Sequence, residues 1–589
     1  MGWRRNFARR RLTADAPDLP PKVSLIASHP INPPAIEFPW MNGATLVLVC
    51  LGLYLPLFWQ LPLLRSEAMY ALIPKEMLAA GSWLTPTLNG AHYLDKPHLL
   101  FWLNILGYKL LGVSSWSARV PTLAVTVGEV YFTYLIGRRL FDRQTAWLSG
   151  FILLTCIGFF VLHLQILTDH LVTLSLLAAL YCLLRWEETP GWRWSTLFFL
   201  ATVAGFLSKG FIGIIFPGLI GLLYAWQMRE RRLLRLLFSP SGIPLGLAIL
   251  VVWGVASDAA NPGYLKFQIV NEQIMRFLGH REPPDITGFT ITGFWLFLGI
   301  WLMPWTFLLP SALYRFWQET RPGRELLPKA RLLIIWAAVI LVFFTVSDSR
   351  IEYYSLPAFP ALALILGWRV RRYLETPQDR IILWALIPLA LLGLSLLVLL
   401  PGLQQVCVHN RREFAGMVSI LSPIARRASW FIPAMALLGA GLALFRRRTW
   451  TLVVYGVLAL GIAVFTFQSF YRLSPKLSDR QAGEYIRHHA APQDIVIMGP
   501  IEEFELGASL EYYSRHHILM VKGENGMPEF PYPVAPGANY IISQKRLKEL
   551  WQGPRKVFLL LDNATPEPSL HGATVVLTMP GKRLLVKHP

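Results

Sequence analysis

Residues 91–112 read AHYLDKPHLLFWLNILGYKLLG, an aspartate, a lysine, a proline and two histidines set directly ahead of an apolar stretch. The apolar part has helical spacing but is short for a bilayer crossing, which needs about 20 predominantly apolar residues. It reads as an amphipathic helix lying at a membrane interface, with Pro97 suited to its first turn. Upstream, EAMYALIPKEMLAAG (67–81) shows the same spacing and reads as a second interfacial helix. Asp95 and Lys96 then stand at the break between two helices that touch the membrane without crossing it. Such a pair belongs in a loop between crossing helices, so the fold turns on what lies to either side.

Both sides are apolar. The 589-residue chain is 54% hydrophobic and 15% charged, a balance that marks a polytopic membrane protein. Runs long enough to cross a hydrocarbon core recur from residue 42 to residue 468 and number about thirteen, among them 146–162, 211–228 and 291–313. The net charge of +20 resides largely in short basic clusters between these runs, such as GRR, RERRLLR, RVRRY and FRRR. That is the pattern of the positive-inside rule and not of a nucleic-acid groove, so no nucleic-acid partner is expected. Threading the runs from a cytoplasmic N-terminus places the clusters inside and leaves 62–117, 259–290 and 403–428 outside. Residues 1–41 form a basic cytoplasmic segment, 42–469 the transmembrane domain and 470–589 a small soluble α/β domain of one helix and several short strands. The first apolar run lacks a clear cleavage site and is expected to remain as a helix. Cys50, Cys156, Cys182 and Cys407 are scattered, with neither disulfide nor metal-thiolate spacing.

An ionisable residue at or within a membrane segment is a functional hypothesis by default. On the outer side these are Glu67, Asp95, Lys96, Asp169, Glu272, Arg276, Arg350 and Glu352. A pair of carboxylates facing a lumen could deprotonate an acceptor hydroxyl or bind a divalent ion. Asp169 equally suits the first turn of a helix, where a carboxylate meets the positive end of the dipole. Lys96 and Arg276 suit a phosphate still attached to a lipid, or serve as headgroup anchors. Residues 347–367, SDSRIEYYSLPAFPALALILG, add Arg350, Glu352, Tyr353 and Tyr354 to the same side. His92, His98 and His170 form no pair with the spacing of a zinc protease and read as interface or supporting residues. The C-terminal domain contains neither GxGxxG nor GxxxxGK[ST], so no nucleotide cradle is expected there.

Residues 63–112 resemble the first extracytoplasmic loop of the ArnT-like lipid A aminoarabinose transferases, within the bacterial branch related to protein O-mannosyltransferases. The resemblance implies a GT-C fold in the bacterial inner membrane with a periplasmic C-terminal domain. It also implies transfer of a sugar from a polyprenyl-phosphate carrier to a lipid A, glycolipid, polysaccharide or protein acceptor. The family's Glu-Lys-Pro falls on Asp95, Lys96 and Pro97, and its aspartate at the outer start of a helix on Asp169. Its Glu and Arg-Phe fall on Glu272, Arg276 and Phe277, and its basic-aromatic turn on Arg350 to Pro357. The resemblance thus assigns Glu67 and Asp169 to catalysis and Lys96, Arg276, Arg350 and Tyr353 to the donor phosphate. Asp95 and Glu272 would hold a divalent metal, and Tyr70, Tyr93 and His98 are further site candidates. Two departures stand out. Ser66 occupies the position of the first acid of the family's pair, and Asn271 and Gln273 replace two histidines. A monomer is expected. A non-catalytic lipid-binding or transport protein on the same fold is the alternative.

Overall fold

The computed structural model describes residues 38–282, 288–321, 328–410, 412–501, 504–523, 540–563 and 571–588, with side chains 401–416 and Phe504 outside that set. Most of the basic N-terminal segment and the Cys407 side chain therefore fall outside the described set.

Crossing helix α1 (Gly43–Gln60) opens on Asn42, whose side chain accepts from the Thr45 N–H, a standard N-cap. Next come α2 (Arg65–Ala79), a hairpin of β1 (Thr87–Leu88) and β2 (Ala91–His92), and α3 (Leu99–Leu111). The hairpin turns through Asn89 and Gly90, both at positive φ (53° and 76°), the conformation Asn-Gly adopts in a tight two-residue turn. Glu76 of α2 accepts from the N–H groups of both turn residues, at 2.7 and 3.1 Å, and so fastens the hairpin to the helix. Helix α3 starts at Leu99 with His98 as its cap, so Pro97 precedes the helix instead of occupying its first turn.

Further along are α4 (Ser115–Leu140), α5 (Arg143–Thr155), α6 (Ile157–Leu162), α7 (Thr168–Glu188), α8 (Trp192–Lys209) and α9 (Ile212–Met228). Each of the thirteen apolar runs falls on helix, and two are interrupted. The run 146–162 breaks at Cys156, whose backbone is extended, into α5 and α6. The run 291–313 is bent by 101° between Ile291–Trp301 and Trp305–Glu319, across a break that contains Pro304. By length and composition, eight helices among the described residues can cross a membrane, or nine if the bent pair is one span. Outward-facing Leu48, Val252, Val342 and Val398 give these helices the apolar exterior that lipid requires.

The C-terminal region carries a six-stranded sheet in the order β5-β4-β3-β6-β8-β7. Its strands are β3 (Ile495–Ile501), β4 (Ile518–Lys522), β5 (Ile541–Ile542), β6 (Val557–Asp562), β7 (Thr574–Met579) and β8 (Lys582–Lys587). β3 to β6 pair in parallel, and β8 and β7 add antiparallel edges. The short helix Ala508–Ser514 joins this domain to α2. The Leu63 N–H donates to the Tyr513 hydroxyl at 2.7 Å, and Lys75 donates to the Tyr512 carbonyl at 3.2 Å.

Candidate active site

Glu67 lies in the first turn of α2 and is 1% exposed. Arg119 of α4 grips it bidentately, Nε to Oε1 at 2.6 Å and Nη2 to Oε2 at 2.7 Å, and the Leu64 N–H donates to Oε2 at 3.3 Å. Arg119 also donates to the carbonyls of Leu61 and Pro62, at 2.6 and 2.9 Å. The pair thus locks the exit of α1 to α2 and α4. This corrects the expectation that Glu67 faces a lumen as a catalytic acid, because both its oxygens are spent on a buried guanidinium. Ser66, one residue earlier and about 100° around the helix, is exposed.

A cavity of about 560 Å³, counting its open mouth, forms where four distant segments converge. The loop before α3 supplies Asp95, Lys96 and Pro97, and the junction of α8 and α9 supplies Lys209 and Ile212. The π-helical segment Phe267–Met275 and the residues after it supply Glu272, Gln273, Arg276 and Phe277. The helix Arg331–Val346 and its following turn supply Phe343, Phe344, Ser347, Ser349 and Tyr354. Charged side chains and the apolar Ile212, Phe277, Phe343 and Phe344 line the cavity together. π-helical turns recur at functional sites, and this one turns Glu272 inward to 3% exposure.

The charged side chains form an ordered network. Glu272 accepts from Arg276 at 2.6 Å and from Arg281 at 2.6 Å, and Arg281 reaches on to Asp95 at 2.7 Å. Lys96 is held more loosely. Its ammonium lies 3.4 Å from the Asp95 carbonyl and 3.7 Å from Glu272, with its side chain 11% exposed. Burial, and after it the Arg276 guanidinium, hold Lys96 below the ordinary lysine range. Asp169, in the first turn of α7 and outside the cavity lining, takes both its oxygens to Lys209, which does line it, at 2.6 and 2.8 Å. The Lys209 ammonium also sits 4.0 Å from the centre of the Tyr354 ring, a cation–π contact.

The expected metal does not fit between Asp95 and Glu272. The Arg281 guanidinium spans the two carboxylates and supplies their positive charge. Where the family has histidines, Asn271 exchanges hydrogen bonds with the backbone of Glu282, and Gln273 accepts from the Phe211 N–H. Both amides are committed to the fold.

Other expected residues fall into two groups. Tyr70 and Tyr93 are buried and flank Phe101, and burial raises both hydroxyls, with Glu505, Asp95 and other acids adding to the shift. They therefore lie within the field of the site's carboxylates. His98, Arg350 and Tyr353 do not line the cavity. His98 is packed among Trp102, Trp253 and Tyr264, bonds the Leu84 carbonyl at 3.1 Å, and is pushed down to about 4 by burial. Arg350 donates to the carbonyls of Phe344 and Phe289, at 3.2 and 3.1 Å, and so shapes the turn. Tyr354, not Tyr353, faces the cavity.

Sequence reasoning missed Lys209, Arg281 and Arg119. Lys209 in SKG looks like an ordinary basic helix end, and Arg281 follows the recognised motif by several residues. Arg119 carried a usable signal, an arginine at the start of a crossing run.

Residues 95–255 match the family described as dolichyl-phosphate-mannose-protein mannosyltransferase. The undecaprenyl phosphate-α-4-amino-4-deoxy-L-arabinose arabinosyl transferase 1 of Pseudomonas fluorescens is 32% identical over 343 residues, 55% of this chain and 58% of that protein. Its counterpart in Aeromonas hydrophila is 30% identical over 355 residues, 57% of this chain and 62% of that one. The chain thus spans less than two thirds of the length of the curated relatives it matches. The crystal structure of ArnT from Cupriavidus metallidurans bound to undecaprenyl phosphate superposes with a TM-score of 0.76 at 22% identity, covering 92% of this chain and 97% of that one. The resemblance drawn from residues 63–112 holds, and the fold is GT-C with a small C-terminal sheet domain.

Proposed function

We propose that this chain is a glycosyltransferase that moves a sugar from a polyprenyl-phosphate carrier to an acceptor at the periplasmic face of a bacterial inner membrane. The observation that carries this reading is the mixed lining of the cavity. Lys96 and Arg276 share one cavity with Ile212, Phe277, Phe343 and Phe344, which suits a phosphate still joined to an apolar tail. The loosely held Lys96 ammonium has most to gain from an incoming anion. Relatives named for undecaprenyl phosphate-aminoarabinose, and a related structure bound to undecaprenyl phosphate, support the same donor class.

In this reading the acceptor oxygen attacks the anomeric carbon as the bond to the carrier phosphate breaks. Negative charge builds on the leaving phosphate, where Lys96 and Arg276 stabilise it most in the transition state. Asp169, whose oxygens both rest on Lys209, holds that ammonium at the cavity and would act as base or hydrogen-bond acceptor only on exchanging the ion pair for the acceptor. Glu67 is reassigned to holding the fold. With serine at position 66, an acceptor that is already anionic, such as a lipid-borne phosphate, needs no carboxylate base to remove its proton. Arg281 keeps Asp95 and Glu272 apart from the substrate's charge without a metal. The threading of thirteen crossings, the cytoplasmic N-terminus, the periplasmic sheet domain and the monomeric state belong to the same reading. Ser66 favours one rival, a protein that binds the carrier without turning it over.

Lipid extraction and mass spectrometry on matched cells with and without the gene separate the two. The transferase reading expects the sugar-loaded carrier to accumulate and one glycosylated molecule to vanish when the gene is lost. Unchanged pools, with the protein expressed, would favour the binding module.

A further inference from the structure

Away from the cavity, immediately behind Asp169, three ionisable side chains meet in the interior. Glu129 in the middle of α4, His163 at the end of α6 and His170 in the first turn of α7 are each at most 1% exposed. His163 Nδ1 lies 2.8 Å from the Phe159 carbonyl, which only accepts, so this nitrogen carries a hydrogen. His170 Nε2 lies 3.1 and 3.2 Å from the carbonyls of Leu162 and Gln165, so it too is an N–H. Neutral His163 then points a bare lone pair from Nε2 at Glu129 Oε1, 3.1 Å away. Two acceptors at that distance need a hydrogen or a cation between them.

A proton would serve that one contact. It leaves Glu129 Oε2 and His170 Nδ1, both buried, without a hydrogen-bond partner among the described residues. We infer that Glu129, His163 and His170 form a binding site for a first-row divalent metal ion of the zinc class. One ligating atom from each residue lies within 4.8 Å of the others. Tetrahedral coordination with bonds of about 2.0–2.1 Å places ligand atoms about 3.4 Å apart, and it requires the stacked His163 and His170 rings, whose centroids are 3.9 Å apart, to turn apart so that both lone pairs meet the ion. Two imidazoles and one carboxylate are a recurrent zinc donor set. Each histidine also holds a backbone carbonyl with its other nitrogen, the outer bond that fixes the tautomer and strengthens a metal-bound imidazole. Metal entry displaces the proton from between Glu129 and His163.

The ion would tie α4 to the turn between α6 and α7, whose next residues include Asp169, and so act as a positioning device for that carboxylate. This role rests on the transferase reading, whereas the site itself does not.

The test is metal analysis of the full chain purified in nanodiscs from zinc-replete cells, washed with EDTA. Stoichiometric zinc is expected in the wild type and in Lys96→Ala, reduced roughly tenfold or more in Glu129→Gln and in His170→Ala. Wild-type protein from cobalt-supplemented cells, which needs no variant to fold, should show the visible d–d bands of low-symmetry Co²⁺. Metal-free wild type with no cobalt bands would overturn the site in favour of a shared proton. Metal retained by both folded cluster variants would overturn it in favour of binding elsewhere. Neither outcome depends on turnover, so failure of the transferase reading would leave the metal result standing.

Discussion

Glu67 and Lys96 are charged residues of one loop with opposite fates. Glu67 faces the buried Arg119 guanidinium, and removing one partner of such a pair strands the other charge at a cost of about 3–5 kcal/mol. Glu67→Gln should therefore lower the melting temperature sharply in detergent, while any protein that folds keeps its affinity for the carrier. If instead stability held and turnover vanished, the structural role of Glu67 would be wrong. With Arg281 between Asp95 and Glu272, EDTA should leave binding of the carrier unchanged. Arg281→Ala should weaken it roughly tenfold, about 1.4 kcal/mol, by releasing two acids to face the phosphate. A chelator-sensitive wild type would place a metal where Arg281 is now. The sequence brought out Asp95, Lys96, Glu272 and Arg276 because polar residues stand out in short apolar-flanked loops. It could not separate Ser66 from Glu67, since which of two adjacent residues faces inward depends on the roll of α2, and that is set by Arg119 from another helix.

Among the elements, α2 gathers the outer parts of the molecule. It holds the β1–β2 turn through Glu76 and the C-terminal domain through Lys75 and the helix Ala508–Ser514. The Asn-Gly pair at 89–90 was a readable hairpin signal, overlooked because strands of two residues leave no alternating pattern. The break at Cys156 has no such signal, and only packing reveals it. Beside the α2 contact, burial pushes Glu511 up to about 7, and its bond with Glu511 raises His517. Both groups bind protons more tightly when folded. For Glu511 the resulting stability is fully present below its ordinary value of 4.5 and is lost as pH rises through about 7. Hydrogen-exchange protection of Ala508–Ser514 should therefore decline between pH 5 and pH 8, by at most about 1.4 kcal/mol per pH unit per proton. Glu511→Gln should flatten that decline, and protection that increased with pH would reverse the assignment.

At the scale of the whole molecule, the sequence conveyed the class, through apolar run length and the spacing of basic clusters, and the sheet domain, through a change of period near residue 470. It could not convey convergence. Residues 95–97, 209–212, 272–277 and 343–354 share one cavity only because α7 to α9 and the helix Arg331–Val346 pack as they do. Lys209 and Tyr354 became site residues solely through that packing. The central claim is that this cavity holds the phosphate of a lipid carrier. The most direct test is the affinity of the purified chain for undecaprenyl phosphate, with Lys96→Ala compared against the wild type and folding checked by thermal shift. Loss of a buried cation–phosphate contact should cost about 2–4 kcal/mol, a roughly 30- to 1000-fold weakening, with the melting temperature of the carrier-free protein preserved. Equal affinity in the folded variant would contradict the account, because the carrier phosphate would then lie somewhere other than beside Lys96.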